Sequence, residues 1–258
     1  MNQPPPDTTP ADLDGRVFYS VIAVSFEDDE RLRRAAVRVC GLELAGRFEP
    51  QTTVACSYDL GVDIASLLPT PSPATTAARE VVGRYSSAAL VNHCERAYLW
   101  SASLGQLKHV PYDAELLYVA SMLHDLGLVP AFDNHLAPFE DAGGDVAWVF
   151  GAGAGWPAER RARVKEIIVR HMWGDVDPAL DAEGHLLREA TTLDISGCNA
   201  DVWPSDFREE VLRRYPRLTL VSEFISAFEE QARRKPGCAA AAAVAAGLGA
   251  RLASNPLN

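Results

Sequence analysis

A histidine and an aspartate stand side by side, His124-Asp125, at the end of the apolar segment LLYVASMLHDLGLVP. Leu116, Leu117, Ala120 and Leu123 recur at helical spacing, and His124 falls on the line through Leu117 and Ala120. A helix of that pattern buries its stripe, so the doublet is carried to the edge of a core. An ionised carboxylate in such a place costs several kcal/mol unless something cationic neutralises it. A divalent metal does so for a His/Asp pair, provided the rest of the chain brings further ligands.

Other metal-ligating residues fall on apolar helix lines of their own. His93 lies on the line Ala89, His93, Ala97, Trp100, and His171 on the line Val164, Ile167, Ile168, His171. Asp194 lies on the line Leu187, Ala190, Asp194, Gly197. A lone histidine on such a face is more often a hydrogen-bonded core residue than a ligand, and a lone aspartate pairs readily with an arginine. Four separate helices that each aim such a group inwards form the pattern of a metal centre. Imidazole suits Zn, Fe and Ni while carboxylates suit harder ions such as Mn, so one or two divalent ions are expected, zinc first and then Fe, Mn or Ni. His109 and His185 lie off these lines and read as surface histidines. Trp173 reads as a core aromatic. Arg160, Arg161 and Arg163 are offset from the inward line of their helix and read as a solvated face rather than a phosphate clamp.

Composition excludes several function classes. The chain has 258 residues, 48% of them hydrophobic and 23% charged, as in a globular protein with a full core. A net charge of −11 argues against nucleic acid or an anionic membrane as the main partner. The expected partner is a small-molecule substrate, and a homo-oligomer is compatible with the composition. Five scattered cysteines without zinc-finger or CxxC spacing read as reduced thiols, which implies a cytoplasmic protein. The first residues carry neither the basic nor the apolar region of a signal peptide. The Ala-rich stretch 238–253 is interrupted by Gly247, Gly249 and Arg251, so it reads as a terminal helix rather than a membrane span.

The pattern divides the chain into three parts. Residues 1–14 are Pro-, Asp- and Thr-rich and are expected to be disordered. Residues 15–75 form an N-terminal extension of uncertain structure, with a strand or helix at 17–26, a helix at 28–46, and a linker at 68–76 marked by Pro69, Pro71 and Pro73. Residues 76–258 read as an all-α bundle. Its helices are expected at 76–106 with a break in the middle, and at 112–126 with Asp113 as N-cap and Gly127 as terminator. Further helices are expected at 138–150, from Pro157 to just before Gly174, at 183–197, and as one or two segments over 205–235.

The order His93 … His124-Asp125 … Asp194, with ligands spaced about 30 and 70 residues apart, resembles the HD-domain superfamily of metal-dependent phosphohydrolases and related enzymes. The resemblance covers roughly 76–235 and implies a helical bundle with His93, His124, Asp125 and Asp194 as metal ligands. It places His171, or alternatively His135, where binuclear members hold a second ion. Asn92-His93 followed by Arg96 and Tyr98 is similar to the NHxxRxY start of the cyanamide hydratase-like group. That group also has a histidine some ten residues after the doublet, as His135 is here, and an FE…GA segment similar to Phe139-Glu140 and Gly143-Gly144. Pro138 stands where that group often has an arginine, and the first 75 residues match nothing in it.

A metal held by this set lowers the pKa of a bound water towards neutrality and makes hydroxide available as a nucleophile. Asp125 is then both ligand and orienter of that water. His135 and His171 are candidates for proton transfer, substrate binding or a second ion, Glu140 is the spare carboxylate, and Arg96 is the one convenient inward cation. The first expectation is therefore a hydratase-like enzyme acting on a small substrate of low charge. The alternatives are a phosphohydrolase of a small phosphoester or nucleotide, and a non-catalytic sensor or interaction module of the same fold.

Overall fold

Two serines set where the helical body begins and where it first breaks. Ser72 accepts from the Thr75 amide while the Thr75 hydroxyl accepts from the Ser72 amide, a reciprocal capping box with Pro73 at the first helical position. Helix α2 (Pro73–Tyr85) thus starts inside the segment expected as linker, following the short α1 (Ile64–Leu67). Ser87 caps α3 (Ala88–Lys108) through the Leu90 amide, which makes Ser86-Ser87 the expected break within 76–106. The computed structural model describes residues 63–258; the expectations for 1–14, 17–26 and 28–46 lie outside the described residues. Among the described residues every regular element is helical, so the chain is all-α there.

Helix α4 (Ala114–Leu123) is capped by the Asp113 carboxylate on the Leu116 amide, as expected, but it stops at Leu123. His124 is its C-cap, Asp125 leaves helical geometry at φ −101° and ψ 8°, and Leu126–Leu128 close as a 3-10 turn. Gly127 does not terminate the helix in the left-handed region. A Cβ there would stand 1.9 Å from the Phe139 carbonyl oxygen, so the turn needs glycine to approach the start of α5 (Phe139–Gly153). Gly143 on α5 faces back, where a Cβ would lie 3.0 Å from the His124 carbonyl.

Helix α6 (Ala158–Arg170) has Pro157 at its N-cap and His171 at its C-cap, so it ends before Gly174. Asp181 caps α7 (Ala182–Ser196), which closes on Gly197 at φ 70°. A 3-10 turn (Ala200–Val202) precedes α8 (Ser205–Arg214) and α9 (Leu220–Arg234), the two segments expected over 205–235. The Ala-rich end is two short helices rather than one, α10 (Ala239–Ala245) and α11 (Leu248–Ala253), parted by Gly247 at φ 81°. No helix among the described residues is long and apolar enough to cross a membrane.

The body is organised around α3, which is buried on nearly all sides from His93 to Gly105. A helix covered all round can only be a core element. One apolar cluster joins Ala97, Leu99 and Trp100 of α3 to Leu117 and Leu123 of α4, Ile167 and Ile168 of α6, and Leu187 and Leu193 of α7. A second joins Ala89 of α3 to Phe139 of α5, Phe224 and Phe228 of α9, and Leu248 and Leu252 of α11. His93 sits between Ala89 and Ala97, at the seam of the two. The arginines at the start of α6 are neither a clamp nor free in solvent. Arg160 reaches Asp113 and Glu115, Arg163 reaches Asp181, Glu166 and Glu183, and Arg161 stacks on Trp148.

Candidate metal centre

Three of the sequence-predicted ligands meet at one point. His93 comes from the middle of α3, His124 from the end of α4, and Asp125 from the residue after it. All three are buried, and each offers a ligand atom within 4.8 Å of the others. His93 Nε2 lies 3.1 Å from His124 Nε2 and 3.3 Å from Asp125 Oδ2, while His124 Nε2 is 3.1 Å from that same oxygen.

The proton positions follow from the other ring nitrogens. His93 Nδ1 is 2.7 Å from Asp194 Oδ2, His124 Nδ1 is 2.8 Å from the Ser121 carbonyl, and His171 Nδ1 faces the Ile168 carbonyl. Each of these oxygens only accepts, so each Nδ1 carries the hydrogen and donates it. Every Nε2 is then left as a lone pair in the neutral ring. Asp125 Oδ2 makes no hydrogen bond although two Nε2 atoms lie beside it, as expected when neither nitrogen has a proton to give. Lone pairs converging on an orphaned, buried carboxylate oxygen repel one another unless a cation stands among them. The donor set therefore fits a divalent ion, with nitrogen and oxygen ligands suited to Zn, Fe, Mn or Ni.

The local electrostatics point the same way. Burial pushes the Asp125 carboxyl up, and only positive charge beside it, on the rings of His124 and His93 or on an ion among them, holds it below the usual carboxylate range; with both rings neutral that charge falls to an ion. Burial pulls His93 down, yet Asp125 and Asp194 on either side of it raise it overall. The seam is a place that attracts positive charge.

Asp194 arrives from α7 but stands behind His93 rather than beside the Nε2 atoms. Its carboxylate accepts Arg96 Nε and Nη2 at 2.8 Å each and the Trp100 indole at 3.0 Å, besides His93 Nδ1. Burial disfavours its charge, and Arg96 and His93 more than restore it, so it sits well below its ordinary pKa. A carboxylate on the far nitrogen of a ligating histidine fixes that ring's tautomer and direction. Arg96 is therefore committed. It is fully buried, bidentate on Asp194, and its Nη1 donates to the Tyr215 carbonyl at 2.9 Å. Its Nε, Nη1 and Nη2 all donate to protein groups.

His171, at the end of α6, stands with Nε2 3.8 Å from Asp125 Oδ1, its ring 4.9 Å from that of His124. Burial and the neighbouring His124 push it down to about 4, so it is neutral at physiological pH. Glu140 is buried in the first turn of α5, next to Phe139, whose ring stands edge-on to His171 at 5.7 Å. His135 is not brought to the cluster. It is exposed in the loop before α5 and lines a surface hollow with Leu136, Arg234 and Lys235. His109 is exposed, and His185 is half-buried with Nδ1 donating to the Val176 carbonyl. Trp173 is half-buried under Arg170.

Two supports of the site carry no sequence signal. Arg217 Nη1 and Asn255 Nδ2 donate to the Asp194 main-chain carbonyl at 2.7 and 2.9 Å, anchoring the helix end that presents the carboxylate. Both lie in loops and belong to no periodic pattern. Trp100, by contrast, lies on the same helix line as His93, and that line was visible.

No protein-family model matches the chain. The cyanamide hydratases DDI2 and DDI3 of Saccharomyces cerevisiae are each 29% identical to it over 180 residues, covering 66% of this chain and 78% of theirs. That similarity supports a cyanamide hydratase-like relationship and a hydratase-like enzyme.

Proposed function

We propose that this chain is a metal-dependent hydratase that adds water across the carbon–nitrogen triple bond of a small nitrile, cyanamide being the first candidate. The observation that carries the proposal is the shared tautomer of His93, His124 and His171, with each Nδ1–H pinned to an oxygen and each Nε2 turned towards Asp125. The likeness to two proteins named for cyanamide hydration supports the choice of reaction.

His93, His124 and Asp125 would hold the ion. When bound, a divalent ion supplies Lewis acidity and brings the pKa of water to about 7. The other roles belong to the chain's own groups. Asp194 and Arg96 hold His93 in one orientation. The Asp125 carboxylate orients the attacking water through an oxygen lone pair. His171, kept neutral, takes the proton that this water loses, and returns it to the substrate nitrogen. One O–H bond breaks and one C–O bond forms. The nitrile π electrons pass to nitrogen, which takes the proton, and tautomerisation gives the amide, or urea from cyanamide. The surrounding phenylalanines exclude bulk water from this exchange.

A phosphoester is less well served. Such a substrate needs cations free to meet its oxygens, whereas Arg96 is consumed by Asp194 and Arg217 spends Nη1 and Nε on the Asp194 carbonyl and Asn258, keeping only Nη2 without a partner.

Elemental analysis of the purified chain and a urea assay with cyanamide test the proposal together. Stoichiometric metal and urea formation are expected, with both lost in His124→Ala by at least about 10²-fold in turnover. A wild-type chain that neither holds nor takes up Zn, Fe, Mn or Ni sinks the metal reading. Metal-loaded protein that turns over nucleoside monophosphates and no nitrile would assign the phosphohydrolase reaction instead.

A further inference from the structure

The metal-ligating side chains are shut away from solvent, with His93 at 1%, His124 at 0% and Asp125 at 2% exposure. A substrate must therefore pass a wall. One wall is a run of aromatic rings. Phe224 stands edge-on to His93 at 5.1 Å and stacks on Phe228 at 5.6 Å; Phe228 packs on Phe139 at 5.4 Å, which meets His171.

Behind Phe224 lies a hollow of about 190 Å³, whose lining includes Ser86, Leu90, Leu128, Phe224 and Ala227. Leu90 is one helical turn before His93, and Leu128 ends the 3-10 turn that follows Asp125. Hollow and metal centre therefore share walls, and Phe224 is the ring between them. The lining is mostly apolar, with Tyr85, Ser86, Ser87 and Glu223 as its residues that carry polar side-chain atoms. The Ser86 hydroxyl is buried and has no hydrogen-bond partner. Glu223 accepts hydroxyls from Ser87 and Thr219. The hollow is smaller than the ~300 Å³ at which drug-sized sites begin. Its size suits a short tail rather than a nucleotide.

Resting on the nitrile-hydration reading, we propose that this hollow receives the non-reacting tail of a substrate longer than cyanamide: a nitrile or N-substituted cyanamide ending in a small uncharged hydrogen-bonding group. Phe224 is the swinging wall that joins tail pocket to reacting carbon, and Ser86 Oγ is the tail's hydrogen-bond partner. A neutral tail suits the site because Glu223 repels an anion and the apolar lining penalises any unpaired charge.

The test compares cyanamide with N-(2-hydroxyethyl)cyanamide on the metal-loaded full chain, in wild type, Ala227→Phe and Ser86→Ala. The corresponding ureas are titrated in parallel by ligand-observed NMR. Filling the hollow with Ala227→Phe should lower the ratio of kcat/KM for tailed over untailed substrate at least about tenfold, and Ser86→Ala should lower it about fivefold. The tailed urea should lose affinity in the same order. If Ala227→Phe does not fold, Ala227→Leu fills less of the space and should move the ratio in the same direction. An unchanged ratio and unchanged urea titrations in the folded variants would overturn the proposal, as would a wild type that neither turns over the tailed substrate nor binds its urea. Binding of the tailed urea that depends on Ala227, in a protein that hydrates no nitrile, would uphold the hollow and remove the hydration reading.

Discussion

Four side-chain hydrogen bonds end on the Asp194 carboxylate: one from His93, two from Arg96 and one from Trp100. A charge so deeply buried is stable only because its donors are in place, and removing one member strands the others. Asp194→Asn keeps the shape and removes the charge. It should weaken metal binding about 10- to 100-fold, as loss of a histidine's outer partner does, and destabilise the fold by about 3–5 kcal/mol through the stranded Arg96. Metal titration and urea denaturation measure the two effects separately. Arg96→Lys should not spare stability, because an ammonium cannot reproduce the bidentate fork. Wild-type metal affinity in Asp194→Asn would show that the carboxylate does not orient His93. At this scale the sequence shows that Asp194 and His93 face inwards. It does not show that Arg96 meets Asp194 instead of substrate, since the two are 98 positions apart and only the α3–α7 packing brings them together.

Between elements, Asp181 does for α6 and α7 what Asp194 does for the site. It caps α7 through the Gly184 amide and receives Arg163 and Arg170 from α6, each at 2.7 Å. Burial raises its carboxyl, but the two arginines and the amide outweigh it and hold it below its ordinary 3.8. A carboxyl depressed in the folded state stabilises above its unfolded pKa, and that stability fades as pH falls through the folded one. Asp181→Asn should therefore cost about 1–3 kcal/mol at pH 7, the arginines being partly in solvent. The difference from wild type should shrink as pH falls below 3.8 towards the lowered folded value. Denaturation midpoints measured between pH 7 and pH 3 check this; a constant gap across the range would contradict it. Helix caps at Ser87, Asp113 and Asp181 are local chemistry; the cap at Asp113 is readable from the sequence, and so is a break in the middle of 76–106. The early end of α4 is not, because Gly127 is required by the approach of the Phe139 carbonyl from a different helix.

Across the whole molecule, an ion at the candidate metal centre would be tied to stability, because the residues that would hold it come from α3, α4 and the turn after it, with α6 and α7 supporting them. An ion bound only by the folded state adds about 4 kcal/mol at a thousandfold excess over its Kd. In a domain of this size that corresponds to about 8–16 °C in Tm. Scanning calorimetry with and without a chelator should show a shift of that order in wild type and almost none in His124→Ala. Equal shifts in both would place the stabilising ion elsewhere.

The sequence by itself determined that residues 76–258 are helical and that His93, His124, Asp125, His171 and Asp194 face a core. Helical periodicity and the cost of buried charge are local physics, and each stripe can be read without its neighbours. Only the tertiary structure decided which of these groups converge. It set His93, His124 and Asp125 together, moved Asp194 behind His93, closed Arg96 onto it, left His135 in solvent and walled the site with Phe224. Those assignments depend on distances between helices far apart in the chain, and a hydrogen bond or a lone-pair repulsion acts over about 3 Å, a range that no spacing along the sequence specifies.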